Sequence, residues 1–291
     1  MRHAEPTRAD VLFERLYSNV DSRVAQSLLD FRANNPPKLL VTNGIPWEYL
    51  SVGEGEGAIL LLHGMAGAYD IWWQQIEALR NRYRIISLTY PAVDNLEAMR
   101  TGINAILHHH GVERISVVGT SLGGYLAQYL LARQHERIRC AIFANTYPPN
   151  NILARRTRGA QVLLRIAPHA LIRLGMDLNT RLSLYPASGR SEILKAYLLE
   201  GARAMRLRLF LARYRCVIQH FDPRPPDGAT PSLLIIESRN DPLINPELRQ
   251  LLKLTYPMAQ VHTFGEAGHF SYLHNPEAYT QVLERFILSS A

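Results

Sequence analysis

The residues best suited to chemistry in this chain form a G-x-S-x-G pattern, Gly119 to Gly123, with Ser121 at its centre. An apolar β-type run, 114–118, leads into the pattern, and an apolar-periodic helical stretch, 122–134, follows it directly. A sharp turn between a strand and a helix lifts a serine hydroxyl clear of the sheet, and the flanking glycines leave room for neighbouring backbone. The field of the helix N-terminus favours the negative charge that develops as such a serine attacks a carbonyl. The pattern therefore predicts that Ser121 is a nucleophile.

A serine hydroxyl is a weak nucleophile, so it needs a base, and the base needs an acid to orient it. Where this turn is used, the order along the chain is Ser, then Asp or Glu, then His. Asp241 follows the apolar run 232–237, and His269 follows the run 260–264. Loops at the carboxyl ends of parallel strands gather at one edge of a sheet. We therefore predict that Asp241 and His269 converge on Ser121.

Other acidic residues and histidines fit these two roles less well. Glu237 ends its strand rather than following it, and Asp222 and Asp227 lie in a linker. His262 lies within a predicted strand, and His274 begins the approach to the last helix.

A glycine-rich turn, HGMAG at 63–67, supplies the next element. The tetrahedral intermediate of acyl transfer carries an oxyanion that needs two backbone N–H donors. We predict that the oxyanion hole is formed by the N–H groups of Met65, in this turn, and of Leu122, next to the nucleophile. His63 is expected to shape the turn rather than to act in catalysis. Substrate contacts are predicted at Gly64, Tyr147 and Phe270.

The elements that must position these residues alternate between strands and helices after Pro37. Near-continuous apolar strands separated by helices predict an α/β fold with a mostly parallel central sheet and helices on both faces. The predicted strands are 47–52, 58–62, 84–89, 114–118, 138–144, 232–237 and 260–264, and the predicted helices are 71–80, 95–110, 122–134, 246–253 and 276–288.

The alternation breaks in an arginine-rich helical segment, 150–228, which we interpret as a cap inserted between two strands of a core formed by 38–149 and 229–291. Residues 1–37 are predicted to be an N-terminal helical extension, with apolar residues at every fourth position forming one amphipathic helix. That helix either docks on the body or serves as a dimer arm or a lid. The apolar positions are Leu12, Leu16, Val20, Val24 and Leu28.

Positive charge is concentrated in the predicted cap. The 291-residue chain has a formal net charge of +7, and residues 151–230 hold 13 Arg and one Lys against five acids. This excess is compatible with a solvated face, with anionic acyl substrates or with contact to an acidic membrane surface. No nucleic-acid partner is expected, because the arginines are not joined to a reading module. The sequence leaves the oligomeric state open.

Several classes of protein are excluded by what the sequence lacks. It has no uninterrupted apolar stretch of roughly 18 residues and no secretory signal, so a cytoplasmic protein is predicted. Two cysteines cannot form a disulfide framework. No metal is expected, since the consecutive residues His108, His109 and His110 do not face one centre. No nucleotide-binding pattern occurs, so no cofactor is predicted.

From about Trp47 to Phe286 the chain resembles the α/β-hydrolase fold superfamily. The segments HGMAG, GTSLGG, the Asp241 loop and GHFSYLHNPE are similar to its oxyanion turn, nucleophile elbow, acid loop and histidine loop. The runs 83–128 and 254–277 resemble the maspardin-like branch more closely. That branch implies a noncatalytic, partner-binding protein without a full triad, whereas this chain has Asp241 and His269 in place. It also has LTYPAVDN where common esterases have a Gly-rich acidic turn.

The sequence thus predicts a cofactor-free serine hydrolase that cleaves a carboxylic ester or thioester of a small-molecule acyl substrate through an acyl-enzyme. Two alternatives stay open. One is a noncatalytic binding protein of the maspardin kind, and the other is a triad-based C–C or lactone hydrolase.

Overall fold

The computed structural model describes residues 8–150, 168–225 and 230–290. These residues form one eight-stranded sheet in the order β1-β2-β4-β3-β5-β6-β7-β8. The strands are β1 Lys38–Thr42, β2 Ile45–Val52, β3 Ala58–Leu62, β4 Arg84–Thr89, β5 Ile115–Thr120, β6 Ile138–Ala144, β7 Ser232–Ser238 and β8 Gln260–Phe264. Strands β3 to β8 pair in parallel, while β2 pairs antiparallel with both β1 and β4.

The described helices cover both faces of the sheet; two precede its first strand along the chain, two follow its last strand, and the others lie between strands. They are α1 Arg8–Tyr17, α2 Ser22–Asn34, α3 Trp73–Leu79, α4 Leu96–His109, α5 Leu122–Gln134, α6 His169–Asn179, α7 Tyr185–Ala187, α8 Glu192–Ala204, α9 Leu207–Ile218, α10 Pro246–Thr255, α11 Ser271–His274 and α12 Pro276–Ser289. A π-helical segment, Thr180–Leu184, joins α6 to α7, so the helix is continuous from His169 to Ala187. No described helix is long and apolar enough to cross a membrane.

Alternate residues of the central strands enter two separate apolar clusters. In β3, Leu60 and Leu62 pack with residues of α4 and α5, while Ile59 and Leu61 pack on the other face with α2, α3 and α12. All five residues of β3 are buried. A strand covered on both faces needs an unbroken apolar sequence, which is why AILLL has no polar alternation.

The structure adds a strand that the sequence analysis did not predict. The turn between β1 and β2 is Asn43–Gly44, with φ of 51° and 73°. Asn-Gly is the preferred pair for a two-residue hairpin with two positive φ angles, so this hairpin had a readable signal. Its outer strand, β1, exposes Leu39 and Val41 at the sheet edge.

The N-terminal extension is two helices in the described residues, so the prediction of one continuous helix was wrong. The first helix ends at Tyr17, and the Asp21 side chain accepts hydrogen bonds from the N–H groups of Arg23 and Val24 at the start of α2. An aspartate that caps a helix in this way fixes a new start rather than continuing the preceding turn. Helix α2 buries Leu28 and Phe31 against the sheet.

Helices α6 to α9 lie between β6 and β7 in chain order, within the segment 150–228 predicted as a cap. Residues 151–167 and 226–229 of that segment lie outside the described residues, as do residues 1–7 of the extension. Asp227, weighed above as an acid, also lies outside them.

Candidate active site

Ser121 occupies the turn between β5 and α5 in a left-handed backbone conformation, with φ 54° and ψ −120°. Holding a non-glycine residue there costs about 1–3 kcal/mol, so the surroundings must fix it. Its N–H donates to the Ala144 carbonyl at 3.0 Å, and its carbonyl accepts from Thr146 Oγ1 at 2.7 Å. Both partners lie at or just after the end of β6, so the neighbouring strand holds the serine turn in place.

The two glycines that flank Ser121 are required by close backbone contacts. A Cβ on Gly119 would lie 2.1 Å from the Gly123 carbonyl oxygen, and one on Gly123 would lie 2.1 Å from the Leu62 carbonyl oxygen. No side chain fits at these distances. The G-x-S-x-G pattern is therefore explained by the approach of β3 and α5 to the turn.

His269 and Asp241 form a buried pair. The Nδ1 atom of His269 lies 2.9 Å from Asp241 Oδ2 and 3.0 Å from Oδ1. Backbone N–H groups of Leu243 and Ile244 also donate to Asp241, at 2.8 and 3.0 Å. With Nδ1 committed to the carboxylate, Nε2 is the imidazole nitrogen left for a reacting group.

The environment of Asp241 keeps it ionised. Burial alone would raise its pKa, but the charge and hydrogen bond of His269, with hydrogen bonds from Asn145 and Ile244, outweigh burial. The pKa of Asp241 is therefore lowered from its ordinary value. A carboxylate that stays charged can hold an imidazole in one tautomer and stabilise its protonated form.

Asn145 is a site residue that the sequence analysis missed. It follows β6 with φ 43° and is 2% exposed. Its Nδ2 lies 2.9 Å from Asp241 Oδ2, 3.3 Å from Ser238 Oγ and 3.2 Å from the Gly268 carbonyl oxygen, and Ser271 Oγ donates to its Oδ1 at 3.1 Å. One side chain thus contacts both the acid loop and the histidine loop. An asparagine ending an apolar run was its only signal, since asparagine tolerates positive φ.

Ser121 and His269 line one cavity of about 200 Å³ together with the turn residues Gly64 and Met65. A Cβ on Gly64 would lie 3.2 Å from Ser121 Cβ, so the glycine-rich turn faces the serine directly. The remaining lining residues are mostly apolar: Ala66, Met176, Leu184, Leu198, Phe210, Leu243 and Phe270. Asn179 and Thr180 are the polar residues among them. The structure therefore places Gly64, Met65 and Phe270 in the lining of the cavity that contains Ser121, and their roles there stay predictions.

Tyr147, predicted to contact substrate, is placed elsewhere, and that prediction is corrected. It is 5% exposed and does not line the cavity. Its hydroxyl donates to the Val217 carbonyl at 3.2 Å, and its ring packs against Tyr125. A loop position near the end of β6 suggested access to the site, but the ring turns into the core.

Leu122, the other predicted oxyanion donor, is the first residue of α5 and is buried. The first N–H groups of a helix have no partner within it, so this donor is free of the helical ladder. His63 is fully buried beside the turn, with Nδ1 2.6 Å from the Gly64 carbonyl oxygen. Burial, with the nearby charge of Arg213, lowers the pKa of His63 well below its ordinary value, which keeps the ring neutral.

Arg213, on α9, is the second residue that the sequence analysis missed. It is 1% exposed. Its Nη1 donates to the carbonyl oxygens of Met65 at 2.6 Å and Gly67 at 3.0 Å, and its Nη2 donates to the carbonyl oxygen of Tyr90 at 3.2 Å. Burial lowers its pKa to about 10, so it remains charged at neutral pH. A helix of the predicted cap thus holds the glycine-rich turn from behind. Within an arginine-rich segment, nothing marked this one as buried.

A charged cluster joins the N-terminal extension to the same region. Arg32 on α2 donates to Asp70 Oδ2 at 2.6 Å and to both carboxylate oxygens of Glu200 at 3.0 and 2.9 Å. The Tyr197 hydroxyl donates to Asp70 at 2.5 Å, and the Tyr17 hydroxyl donates to Glu200 at 2.6 Å. Three segments distant in sequence are therefore connected beside the turn. Except for Tyr17, the residues of this cluster line a second cavity of about 330 Å³, and Ala66 lines both cavities.

Among the described residues, no group of three or more His, Cys, Asp or Glu side chains is arranged to hold a metal ion. Cys140 and Cys216 are free thiols, and both are buried.

Comparison with known proteins gives one fold and several reactions. The sequence profile of the alpha/beta hydrolase fold matches residues 57–276. The chain is 26% identical over 261 residues to the 2-hydroxy-6-oxononadienedioate/2-hydroxy-6-oxononatrienedioate hydrolase of Paraburkholderia phymatum, covering 82% of this chain and 90% of that protein. It is 34% identical to maspardin of Danio rerio over 95 residues, which is 30% of each chain. The enol-lactonase of Burkholderia xenovorans superposes with a TM-score of 0.73 at 17% identity, covering 86% of this chain and 100% of that one.

Proposed function

The chain belongs to the alpha/beta hydrolase fold family, and we propose that it is a serine hydrolase that cleaves a carboxylic ester or thioester through an acyl-enzyme. It is a hydrolase of that fold; the choice of bond and the use of serine are the proposal. One observation carries it: His269, paired with the buried Asp241 at 2.9 Å, lines the same cavity as Ser121. The cavity takes a small molecule with an acyl group.

In the proposed reaction, Ser121 Oγ attacks the acyl carbonyl while His269 Nε2 takes the hydroxyl proton. Asp241 holds the imidazole through Nδ1 and stabilises the imidazolium that forms. His269 then gives the proton to the leaving alcohol or thiol, and the carbonyl carbon stays bonded to Ser121. A water molecule, deprotonated by His269, attacks this acyl-enzyme, which releases the carboxylic acid and returns the proton to Ser121.

The oxyanion of each tetrahedral intermediate is assigned to the N–H groups of Met65 and Leu122. Two features support this assignment: Leu122 begins α5, and the turn that carries Met65 faces Ser121 across the cavity. Preorganised donors of this kind supply much of the rate in acyl transfer, and losing one typically costs about 10²–10³ in kcat.

The proposal is tested with a small fluorophosphonate, which modifies an activated serine without knowledge of the substrate. We expect rapid labelling of the wild-type protein at Ser121, located by peptide mass mapping. Labelling disappears in Ser121→Ala and falls by about 10³-fold or more in His269→Ala, because the base is lost. His262→Ala, which removes a histidine outside the cavity, serves as the matched control and keeps the wild-type rate.

Hydrolysis of p-nitrophenyl esters by the same four proteins gives the second readout. Wild-type rates in folded Ser121→Ala or His269→Ala would contradict the triad. Absence of labelling in folded wild-type protein would instead favour the noncatalytic reading that the maspardin similarity suggests, although that similarity covers 30% of the chain.

A second candidate function is hydrolysis of a dienedioate, which the name of the Paraburkholderia phymatum relative suggests because that relative matches most of the chain. A dienedioate carries two carboxylates, and such groups are usually bound by arginine or lysine. No arginine or lysine is among the described residues that line the cavity with Ser121. The apolar lining therefore favours neutral esters first, and a labelled Ser121 with no turnover of activated esters would favour the dienedioate.

A further inference from the structure

The helix that runs from His169 to Ala187 is apolar on two opposite faces. Its inner face carries Met176, Thr180 and Leu184, which line the cavity that contains Ser121. Its outer face carries four leucines at intervals of three and four residues, here called the leucine stripe: Leu171, Leu174, Leu178 and Leu182.

The leucine stripe is open to solvent along its whole length. The exposed fractions are 59% for Leu171, 53% for Leu174, 46% for Leu178 and 75% for Leu182. All four are exposed large apolar side chains, and they share one helix face. Scattered exposed leucines need no explanation, but a contiguous apolar patch marks an interaction surface.

Basic residues lie at both ends of this helix. At its start, His169 Nε2 is 2.7 Å from the Met205 carbonyl oxygen, which brings the exposed Arg206 to that end. Towards the other end Arg181 precedes Leu182, and Arg190 follows the last turn; both are exposed. The only acid in the helix is Asp177. Leucines on one face with arginines around them are typical of helices that lie in the interface of anionic membranes.

We propose that the leucine stripe docks the protein on the surface of an anionic phospholipid bilayer. The charges favour this occupant over a second copy of the chain. A symmetric pair places the same patch against itself, so the arginines of both copies would be brought together. Lipid phosphates instead supply the opposite charge, while the acyl-chain boundary receives the leucines.

Docking in this orientation places the helix between the lipid surface and the cavity, so the two are separated by the width of one helix. Asn179 lines that cavity, is exposed, and lies in the same helix between Leu178 and Leu182. The cavity lining is mainly apolar, which suits an acyl chain. The docking surface does not depend on the proposed chemistry, because no residue of the stripe takes part in it.

The test is co-sedimentation of the full-length protein with vesicles of phosphatidylcholine alone or enriched in phosphatidylglycerol. We expect the wild type to sediment with the anionic vesicles, to bind neutral ones at least about tenfold more weakly, and to be released as salt is raised. The triple variant Leu174→Ser, Leu178→Ser and Leu182→Ser should lose binding by at least about tenfold. The matched control, Leu254→Ser with Met258→Ser, changes two exposed apolar residues near β8 and should bind as the wild type does.

Three results would overturn the proposal. One is the lack of the expected difference in the vesicle assay, either because the wild type stays in the supernatant with anionic vesicles or because the triple variant sediments equally well. Another is a wild-type dimer by light scattering that ignores vesicles and dissociates in the triple variant, which would assign the stripe to a second copy. The third is a vesicle-inert wild type whose triple variant melts many degrees lower, which would mean that the chain itself covers the stripe. Ser121→Ala must bind vesicles like the wild type, so failed catalysis and failed docking are distinguishable.

Discussion

Asn145 links the two loops that carry Asp241 and His269, although it lies in neither. Its amide contacts Asp241, the Gly268 carbonyl oxygen and Ser271 at the same time. Because it does not line the cavity, it acts on substrate only by positioning the acid and the proposed base. Small displacements of such groups are costly in rate, even where the fold is intact.

We expect Asn145→Ala to lower kcat by about tenfold to a hundredfold with little change in KM. The variant also loses one hydrogen bond that lowers the pKa of Asp241. A carboxyl group with a lowered folded-state pKa stabilises the protein above its unfolded pKa, and this stabilisation is lost as pH falls through the folded value. The pKa of Asp241 rises in the variant, so the loss in its free energy of unfolding should be larger above about pH 4 than in more acid solution, where only the loss of its other buried hydrogen bonds remains.

Steady-state kinetics and urea unfolding between pH 3 and 7 check this prediction. Asn104→Ala, which removes an amide from a partly buried cluster with Gln134 and Arg137, is the control. A wild-type kcat and a wild-type pH dependence of the free energy of unfolding in Asn145→Ala would contradict a positioning role for Asn145.

At the scale of elements, α9 and the glycine-rich turn form one unit through Arg213. The guanidinium group bonds to carbonyl oxygens on both sides of Ala66 and so fixes the peptide planes that follow Met65. Fixing the plane that follows Met65 restricts the backbone of Met65, whose N–H, in the preceding plane, is one of the two assigned to the oxyanion. The catalytic turn is therefore held by a helix that follows it by almost 150 residues.

Arg213→Met should lower kcat/KM for activated esters by about tenfold to a hundredfold and slow fluorophosphonate labelling in parallel, since both reactions need the oxyanion donors. Arg213→Lys should recover part of the loss, because an ammonium group reaches fewer of the three carbonyls. Arg215 lies two residues further along the same helix and forms an exposed ion pair with Asp94. Arg215→Met removes the same charge and should act as the wild type does. If Arg213→Met melts at the same temperature as the wild type but is labelled more slowly, Arg213 positions the turn; a lower melting temperature would instead indicate a loss of stability.

Sequence patterns predicted the elements where one signal was strong. The superfamily, the mostly parallel sheet and the resemblance to maspardin are confirmed. Helix 122–134 was placed to the residue, because the glycine turn fixes its start. The strand Lys38–Thr42 was missed, since an edge strand with exposed apolar residues lacks the buried run that marked the others. Arg213 and Asn145 were not predicted as site residues, because their burial and their hydrogen-bond partners, rather than their residue types, give them their roles.

At the scale of the whole molecule, the N-terminal helices, the core and the inserted helices meet at Arg32. Its side chain is 26% exposed, and Asp70, one of its two carboxylate partners, is 8% exposed. Removing one member of a largely buried ion pair leaves an uncompensated charge, and this costs more than the loss of a surface pair. The extension is therefore part of the folded body in the described residues.

We expect Arg32→Met to lower the free energy of unfolding by about 2–4 kcal/mol, measured by urea denaturation. The surface pair Glu77–Arg80 provides the comparison, and Arg80→Met should cost about 1 kcal/mol or less. Equal losses in the two variants would mean that the N-terminal helices contribute no more than a surface contact.

The two buried cysteines report on different parts of this body. Cys140 lies in β6 at the centre of the sheet, and Cys216 lies in α9 with its Sγ 3.7 Å from the Val93 carbonyl oxygen. Burial raises the pKa of both thiols, that of Cys216 to about 12, so neither reacts as a thiolate in the closed protein. Thiol modification will therefore proceed at the rate of opening motions. If α9 departs while the sheet stays intact, Cys216 alone becomes reactive, and the order in which the two thiols are modified records whether the molecule opens in parts or all at once.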